Sequence, residues 1–239
     1  MSASGLILFL DFDGTITQRD ATDAILEAFA EPKWLDVERA WLSGKIGSRE
    51  CMRAQIDLVS ASPAQVDALL NEIDVAPGFS MLLDASAAVG VPVHIVSDGF
   101  DYCIKRILGR PDRGLLPRLA RSQIVSSGLE PAVQPDRWRA TFSHPTDRCA
   151  HGCATCKPAV MKQLSAGDLI MFVGDGLSDR YAAAYADVVF AKDTLATYCE
   201  NASIPYTPYD TLEAVAEGVE RLVRVEMPRS TSRKVAPTG

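Results

Sequence analysis

Leu6-Ile7-Leu8-Phe9-Leu10-Asp11-Phe12-Asp13-Gly14-Thr15 is the stretch whose reading settles the fold. Five consecutive apolar residues with no polar alternation describe a strand covered on both faces, as in a parallel sheet flanked by helices. The run ends in two carboxylates and a glycine, so polar chemistry sits where open α/β sheets place their ligands, at a strand's C-terminal end. Two further segments repeat the pattern. Val91-Pro92-Val93-His94-Ile95-Val96 leads into Ser97-Asp98-Gly99, and Leu169-Ile170-Met171-Phe172-Val173 leads into Gly174-Asp175-Gly176. The expected fold is α/β, a doubly wound, Rossmann-like parallel sheet.

Between the first two strands the periodicity becomes helical, through Ala24, Ile25, Ala28 and Phe29, then Trp34, Val37 and Trp41, then Met52, Ile56 and Val59, then Val66, Leu69, Leu70 and Ile73. Pro32, Gly44, Gly47 and Pro63 separate these helices, with Ser48 and Ser62 as expected N-caps. Trp34 and Trp41 share one helical face and are expected to fill this insert. The expected organisation is a core of residues 1–16 and 77–227, a small helical cap of residues 17–76, and a disordered tail over 228–239. Further along, a helix is expected over 81–89, and a hairpin over 122–143 with Gly128 and Pro131 in its turn. A short helix over 158–164, a βα pair at 188–191 and 195–200, and a terminal helix over 212–225 follow. His94, inside an apolar strand, reads as a packed residue.

The chain has 239 residues, 47% hydrophobic and 23% charged, with a net charge of −7; its pI is near 5.0 and its mean hydropathy +0.04. An acidic average surface repels nucleic acid and anionic membranes, so neither is an expected partner. The apolar run at 6–10 is too short for a signal peptide or a membrane span, and no basic segment precedes it, which points to a cytoplasmic enzyme. A monomer or homodimer acting on a small anionic metabolite is expected.

Moving a phosphoryl group onto an enzyme needs a nucleophile, charge to neutralise the dianion, and an acid for the leaving alkoxide. Asp11 is the expected nucleophile. Asp13, two residues on across the turn at Gly14, is the expected acid and base. Magnesium, which prefers oxygen ligands and keeps several waters, is the expected cofactor, held by Asp11 and Asp175, by the carbonyl of Asp13, and with Asp179 behind them. Thr15, Ser97, Asp98 and Gly99 are expected around the phosphate oxygens, and Lys157, at a helix start before Pro158, is expected to offer them a fixed positive charge.

The succession of Asp11, Asp13 and Thr15, then Ser97, then Lys157, then Asp175 and Asp179 resembles the four motifs of the haloacid dehalogenase superfamily. That resemblance implies an α/β core, Mg²⁺ and an aspartyl-phosphate intermediate. The second Asp is similar to the phosphatase branch, and the helical insert resembles the cap of phosphoserine-phosphatase-like members. The later segments, His144-Pro145, Cys149, Cys153-Ala154-Thr155-Cys156-Lys157-Pro158, Tyr198-Cys199-Glu200 and Ile204-Pro205-Tyr206-Thr207-Pro208, resemble the methionine-salvage phosphatases that act on 2-hydroxy-3-keto-5-methylthiopentenyl-1-phosphate. Phosphoserine phosphatase and phosphocholine or phosphoethanolamine phosphatases stand as alternatives, with a non-catalytic phosphate-binding protein as a further one. In phosphoserine phosphatases a cap Glu meets the substrate amine and a cap Arg its carboxylate. Asp20 matches the Glu, whereas the Arg position falls on Gln55, with Arg53 two residues earlier. Asp20 and Arg53 are the expected substrate contacts, and Arg49 is also within reach.

Six cysteines are too sparse for a disulfide scaffold. Cys149, Cys153 and Cys156 have the spacing of a radical-SAM cluster, but their late position beside Lys157 leaves no room for the barrel that chemistry uses. A Zn²⁺ site completed by His144 or His151, a redox-sensitive pair and three buried thiols remain open.

Overall fold

The computed structural model describes residues 5–120, 123–144 and 149–226. Strand β1, Leu6–Leu10, lies in the middle of a seven-stranded sheet. It pairs in parallel with β2, Val93–Phe100, on one side, and with β5, Leu169–Gly174, on the other. Outward from β2 come β3, Ile124–Pro131, and the antiparallel β4, Trp138–Thr141. Outward from β5 come β6, Val188–Ala191, and β7, Thr207–Pro208, both parallel. The chain fills one half of the sheet before crossing to the other. The reversal point therefore lies between β1 and β5, where such sheets bind ligands.

Every residue of β1 is buried because both faces are covered. Leu6, Leu8 and Leu10 join one hydrophobic cluster, while Ile7 and Phe9 join the other, as the period of two demands. His94 packs its ring 5.4 Å from that of Phe9.

Four helices follow β1: α1, Ala21–Phe29; α2, Trp34–Leu42; α3, Ser48–Ile56; and α4, Pro63–Asn71. Their entry and exit run side by side, with Gln18 N donating to Asp74 O at 2.9 Å and Ala76 N to Ile16 O at 2.7 Å. Ala24, Ile25, Met52, Ile56, Val66 and Leu70 share one cluster with core strand residues, so the insert is packed onto the sheet. Trp138 on β4 donates its indole N–H to Ala61 O at 2.8 Å, and Ala61 N donates to Asp136 O at 2.9 Å. Then come α5, Phe79–Ala88; α6, Asp101–Leu108; α7, Lys157–Ser165; α8, Arg180–Tyr185; α9, Asp193–Ala202; and α10, Leu212–Glu226. Among the described residues, no helix is long and apolar enough to cross a membrane.

One local expectation holds and several are corrected. Ser62 caps α4, its hydroxyl taking Gln65 N–H while Gln65 Oε1 returns to Ser62 N. Ser48 is not a cap; it is the first helical residue of α3, behind Gly47, and its side chain reaches another element. Gly128 and Pro131 lie within β3, paired with Thr141 and Trp138, and the turn falls beyond them. Strand β2 runs on through Ser97, Asp98 and Gly99 to Phe100, with a register shift against β3 between Val96 and Phe100. Helices α6 and α8 are additions, although Cys103, Ile104, Ile107 and Leu108 carry the helical period of α6. Trp34 packs against the core cluster while Trp41 lines a cleft. The expected tail, 228–239, lies outside the described residues.

Candidate active site

Where β1, β2 and β5 end, four chain segments converge. Asp11 follows Leu10 directly, and its N–H donates to Val173 O at 2.9 Å, which continues the β1–β5 ladder by one residue. Asp175 follows β5, and Asp179 closes the short 3₁₀ turn Leu177–Asp179. Carboxylate oxygens of Asp11, Asp175 and Asp179 all lie within 4.8 Å of one another. Lys157, the first residue of α7, is buried with its ammonium 2.8 Å from Asp11 Oδ1 and ion-paired with Asp179.

Supporting contacts hold these groups in place. Asp179 Oδ2 accepts from Asp175 N and Gly176 N, each at 3.2 Å. Thr15 donates to Asp175 Oδ1 at 2.6 Å, and Tyr209, unforeseen from the sequence, approaches the same hydroxyl at 3.5 Å. Asp13 Oδ1 accepts from Ala21 N at 2.9 Å, which couples it to the start of α1. Gly14 has φ +74°, and a Cβ there would collide with the Asp175 carboxylate. A Cβ on Gly99 would collide with Asp13 Oδ2.

The electrostatics follow from packing carboxylates out of water. Burial, then Asp179 and Asp11, pushes Asp175 up to about 8, against the Thr15 hydrogen bond. Burial and Asp11 push Asp179 up to about 7, against Lys157. Burial, then Asp20, raises Asp13 well above the ordinary carboxylate range. Burial would lower Lys157, but Asp11, Asp179 and Asp98 together raise it. One ammonium thus faces three clustered carboxylates of hard oxygen donors. That is an imbalance which a small, oxygen-seeking divalent cation corrects, so Asp11, Asp175 and Asp179 fit Mg²⁺.

A cleft of about 170 Å³ opens from this cluster. Asp11, Asp13, Ser97, Asp98, Gly99 and Asp175 line its floor, while Asp20, Thr22, Asp23, Glu38, Trp41, Met52 and Gln55 line its upper part. Asp20 caps α1, accepting from Asp23 N at 2.8 Å, and also faces this space.

The other expected residues make these contacts. Thr15 is turned to Asp175. Gly99 N–H already donates to Ser97 Oγ at 2.9 Å. Asp98 accepts from Ser48 at 2.6 Å and from Thr155 N at 2.9 Å, so its carboxylate ties α3 and the Lys157 loop to β2. Arg53 is exposed, lies 5.3 Å over the Phe142 ring and does not line the cleft. Arg49 Nε donates to Cys153 O at 3.3 Å.

Cys149, Cys153 and Cys156 are all free thiols, of which only Cys153 is buried. Burial would raise Cys149, but N–H groups of Cys153 and His151 and the thiols of Cys153 and Cys156 hold it below its usual value. Among the described residues, the Asp11 cluster is the only group of three or more His, Cys, Asp or Glu whose ligand atoms all lie within 4.8 Å of one another. Trp41, Glu38, Asp23 and Thr22 are cleft residues that the sequence reading did not select. The i, i+3 spacing of Glu38 and Trp41 on one helix face was the available signal.

Comparisons with known proteins find relatives over most of the chain. The family model for haloacid dehalogenase-like hydrolases matches residues 8–184. The 2-hydroxy-3-keto-5-methylthiopentenyl-1-phosphate phosphatase of Geobacillus thermodenitrificans (strain NG80-2) is 30% identical over 221 residues, covering 91% of this chain and 96% of that relative. A phosphoserine phosphatase solved with a phospho-aspartyl intermediate analogue superposes with a TM-score of 0.63 at 19% identity, over 89% of this chain and 97% of that one. A haloacid dehalogenase family hydrolase from Salmonella enterica serovar Typhi gives a TM-score of 0.68 at 17% identity, over 94% of this chain and 72% of that one.

Proposed function

The chain belongs to the haloacid dehalogenase-like hydrolase family, and on that footing we propose that it is a Mg²⁺-dependent phosphomonoesterase with Asp11 as nucleophile and Asp13 as acid and base. The observation that carries this reading is the convergence of Asp11, Asp175 and Asp179 within 4.8 Å, with the buried Lys157 ammonium against Asp11.

Bound Mg²⁺ supplies positive charge that lets an anionic carboxylate approach a phosphate dianion. The Asp11 carboxylate attacks phosphorus, forming an aspartyl phosphate as the ester P–O bond breaks. Asp13 delivers a proton to the departing alkoxide. Its Oδ1 is occupied by Ala21 N–H, so Oδ2 is the oxygen that carries that proton. Ser97 and Lys157 hold the phosphoryl oxygens. Asp13 then takes a proton from the water that attacks phosphorus, and phosphate leaves as Asp11 is restored.

The substrate named for the 30%-identical relatives, 2-hydroxy-3-keto-5-methylthiopentenyl-1-phosphate, is the reference compound for this chain. Phosphoserine is disfavoured, because the described residues lining the cleft include no arginine or lysine to meet its carboxylate. A non-catalytic phosphate binder is disfavoured by the full carboxylate set. The test is Mg²⁺-dependent hydrolysis of p-nitrophenyl phosphate, which should disappear in Asp11→Asn; turnover retained by that variant overturns the nucleophile assignment.

A further inference from the structure

Tyr209 enters the neighbourhood of Asp175 from the far edge of the sheet. It follows β7, the outermost strand, and its side chain reaches past β6 to the end of β5. The ring packs in the hydrophobic cluster that holds Leu8 and Leu10, and the residue is only 4% exposed. A phenylalanine would fill that space as well, so packing explains the ring and leaves the hydroxyl unexplained. A buried tyrosine hydroxyl requires a partner. This one has two, Gly174 O at 3.3 Å and Thr15 Oγ1 at 3.5 Å.

The number of protons fixes the direction of these contacts. A threonine hydroxyl carries one proton and two lone pairs. Thr15 gives its proton to Asp175 Oδ1 at 2.6 Å, so towards Tyr209 its oxygen can only accept. Tyr209 is therefore the donor, and its single proton is divided between Thr15 Oγ1 and Gly174 O. Both distances exceed the usual length of an O–H···O bond, which the sharing of one proton explains.

Accepting the Mg²⁺-dependent hydrolase reading above, we propose that Tyr209 is a positioning residue for the metal ligand Asp175 and acts on it through Thr15. The backbone here is already held. Leu195 N donates to Asp175 O at 2.8 Å and Thr194 Oγ1 to the same oxygen at 3.2 Å, while Lys192 N donates to Gly174 O at 3.3 Å. What those contacts leave free is rotation of the Asp175 side chain. Thr15 restrains it by taking Oδ1, which leaves Oδ2 for the cation. Tyr209 restrains Thr15 in turn, because a donor at the Thr15 oxygen keeps the hydroxyl proton from turning that way and leaves it on Asp175. Mg²⁺ tolerates little departure from octahedral oxygen ligation, so a carboxylate free to rotate holds it less well. Partners that orient a ligand in this way typically contribute about 10- to 100-fold to metal affinity.

The test is calorimetric titration of Mg²⁺ into the full-length wild-type protein and into Tyr209→Phe, which removes one oxygen and keeps the ring. The variant should bind Mg²⁺ about tenfold more weakly. Its kcat and KM for p-nitrophenyl phosphate should return to wild-type values once Mg²⁺ is saturating, a pattern that a general loosening of the fold would not give. Thr15→Val should weaken Mg²⁺ binding at least as much, and Thr15→Ser, which keeps the hydroxyl, should bind Mg²⁺ more tightly than Thr15→Val. In the Thr15→Val background Tyr209→Phe should add no further loss. Unchanged affinity in Tyr209→Phe overturns the proposal, and so does a kcat that excess Mg²⁺ fails to restore. Equal weakening in Thr15→Val and Thr15→Ser overturns it as well, as does a full tenfold loss on top of Thr15→Val, which would show a route that bypasses Thr15. Wild-type protein that binds no Mg²⁺ overturns the reading on which the proposal rests and the proposal with it, whereas the other adverse outcomes leave that reading standing.

Discussion

Ser48 donates to Asp98 Oδ2 at 2.6 Å, and so the first residue of α3 is fastened to the C-terminal end of β2. The same hydroxyl accepts from Ala154 N at 2.9 Å, which brings in the loop ahead of Lys157. One side chain thereby holds the roof of the cleft and two of its floor segments together. Ser48→Ala leaves a buried carboxylate oxygen and a backbone N–H without this partner, at an expected cost of about 1–3 kcal/mol. Urea unfolding should show a lower midpoint at unchanged m-value, with faster amide exchange at Ala154. An unaltered midpoint contradicts the role given to this hydroxyl.

Asp175 sits in a cluster whose charges repel one another without a cation. Asp175→Asn should therefore raise the thermal midpoint of Mg²⁺-free protein while removing the stabilisation that Mg²⁺ confers. At a hundredfold excess over its dissociation constant, that stabilisation is roughly 2.7 kcal/mol for a ligand that binds only the folded state. Thermal melts with EDTA and with added Mg²⁺ check both halves. A variant that keeps the full Mg²⁺-dependent shift excludes Asp175 as a ligand.

Gly99 has an ordinary negative-φ backbone, yet a Cβ there would collide with Asp13 Oδ2 and lie 3.1 Å from Ser97 Oγ. Gly99→Ala is expected to displace the acid and base with little effect on folding. The expected loss is at least about tenfold in kcat, within the range that one acid–base group contributes. Steady-state kinetics alongside a thermal melt test this; unchanged kcat speaks against the placement of Asp13.

Burial, then Asp23 and Asp11, pushes Asp20 up to about 7; burial, then Glu38 and Glu27, pushes Asp23 up to about 6 against Arg19. Unfolded carboxyls titrate near about 4, so the folded protein binds more protons than the unfolded chain between about pH 4 and about pH 7. Over that window these two groups make stability fall as pH rises. Asp23→Asn should flatten the decline between about pH 4 and about pH 6. Urea midpoints across this range in Mg²⁺-free buffer give the answer, and a variant with the wild-type slope refutes the assignment.

The architecture was largely legible in the sequence. Leu6–Leu10 and Leu169–Gly174 could be read because a strand buried on both faces admits only apolar residues, and the polar residues that end each run mark the ligand edge. Ser62 could be read because capping is a local contact between residues three apart. Asp11, Asp13, Lys157, Asp175 and Asp179 were selected as candidates by their order behind those strands, and the sheet brings Asp11, Lys157, Asp175 and Asp179 into contact.

Residues whose contacts are long-range are harder to read from the sequence. Ser48 reads as a cap until Asp98, fifty positions away, is placed beside it. Thr15, expected near the phosphate, donates its hydroxyl to Asp175, 160 positions away. Arg53 reads as a substrate contact, but α3 turns it towards Phe142 and presents Gln55 and Met52 to the cleft. Glu38 and Trp41, which pass in the sequence for a charge and an apolar residue on an amphipathic helix, line the acidic roof. Local pattern reports what a residue's own strand or helix needs. Which opposing surface its side chain meets depends on how α1, α2 and α3 pack over β1 and β2, and that packing decides which side chains line the cleft above the strand ends.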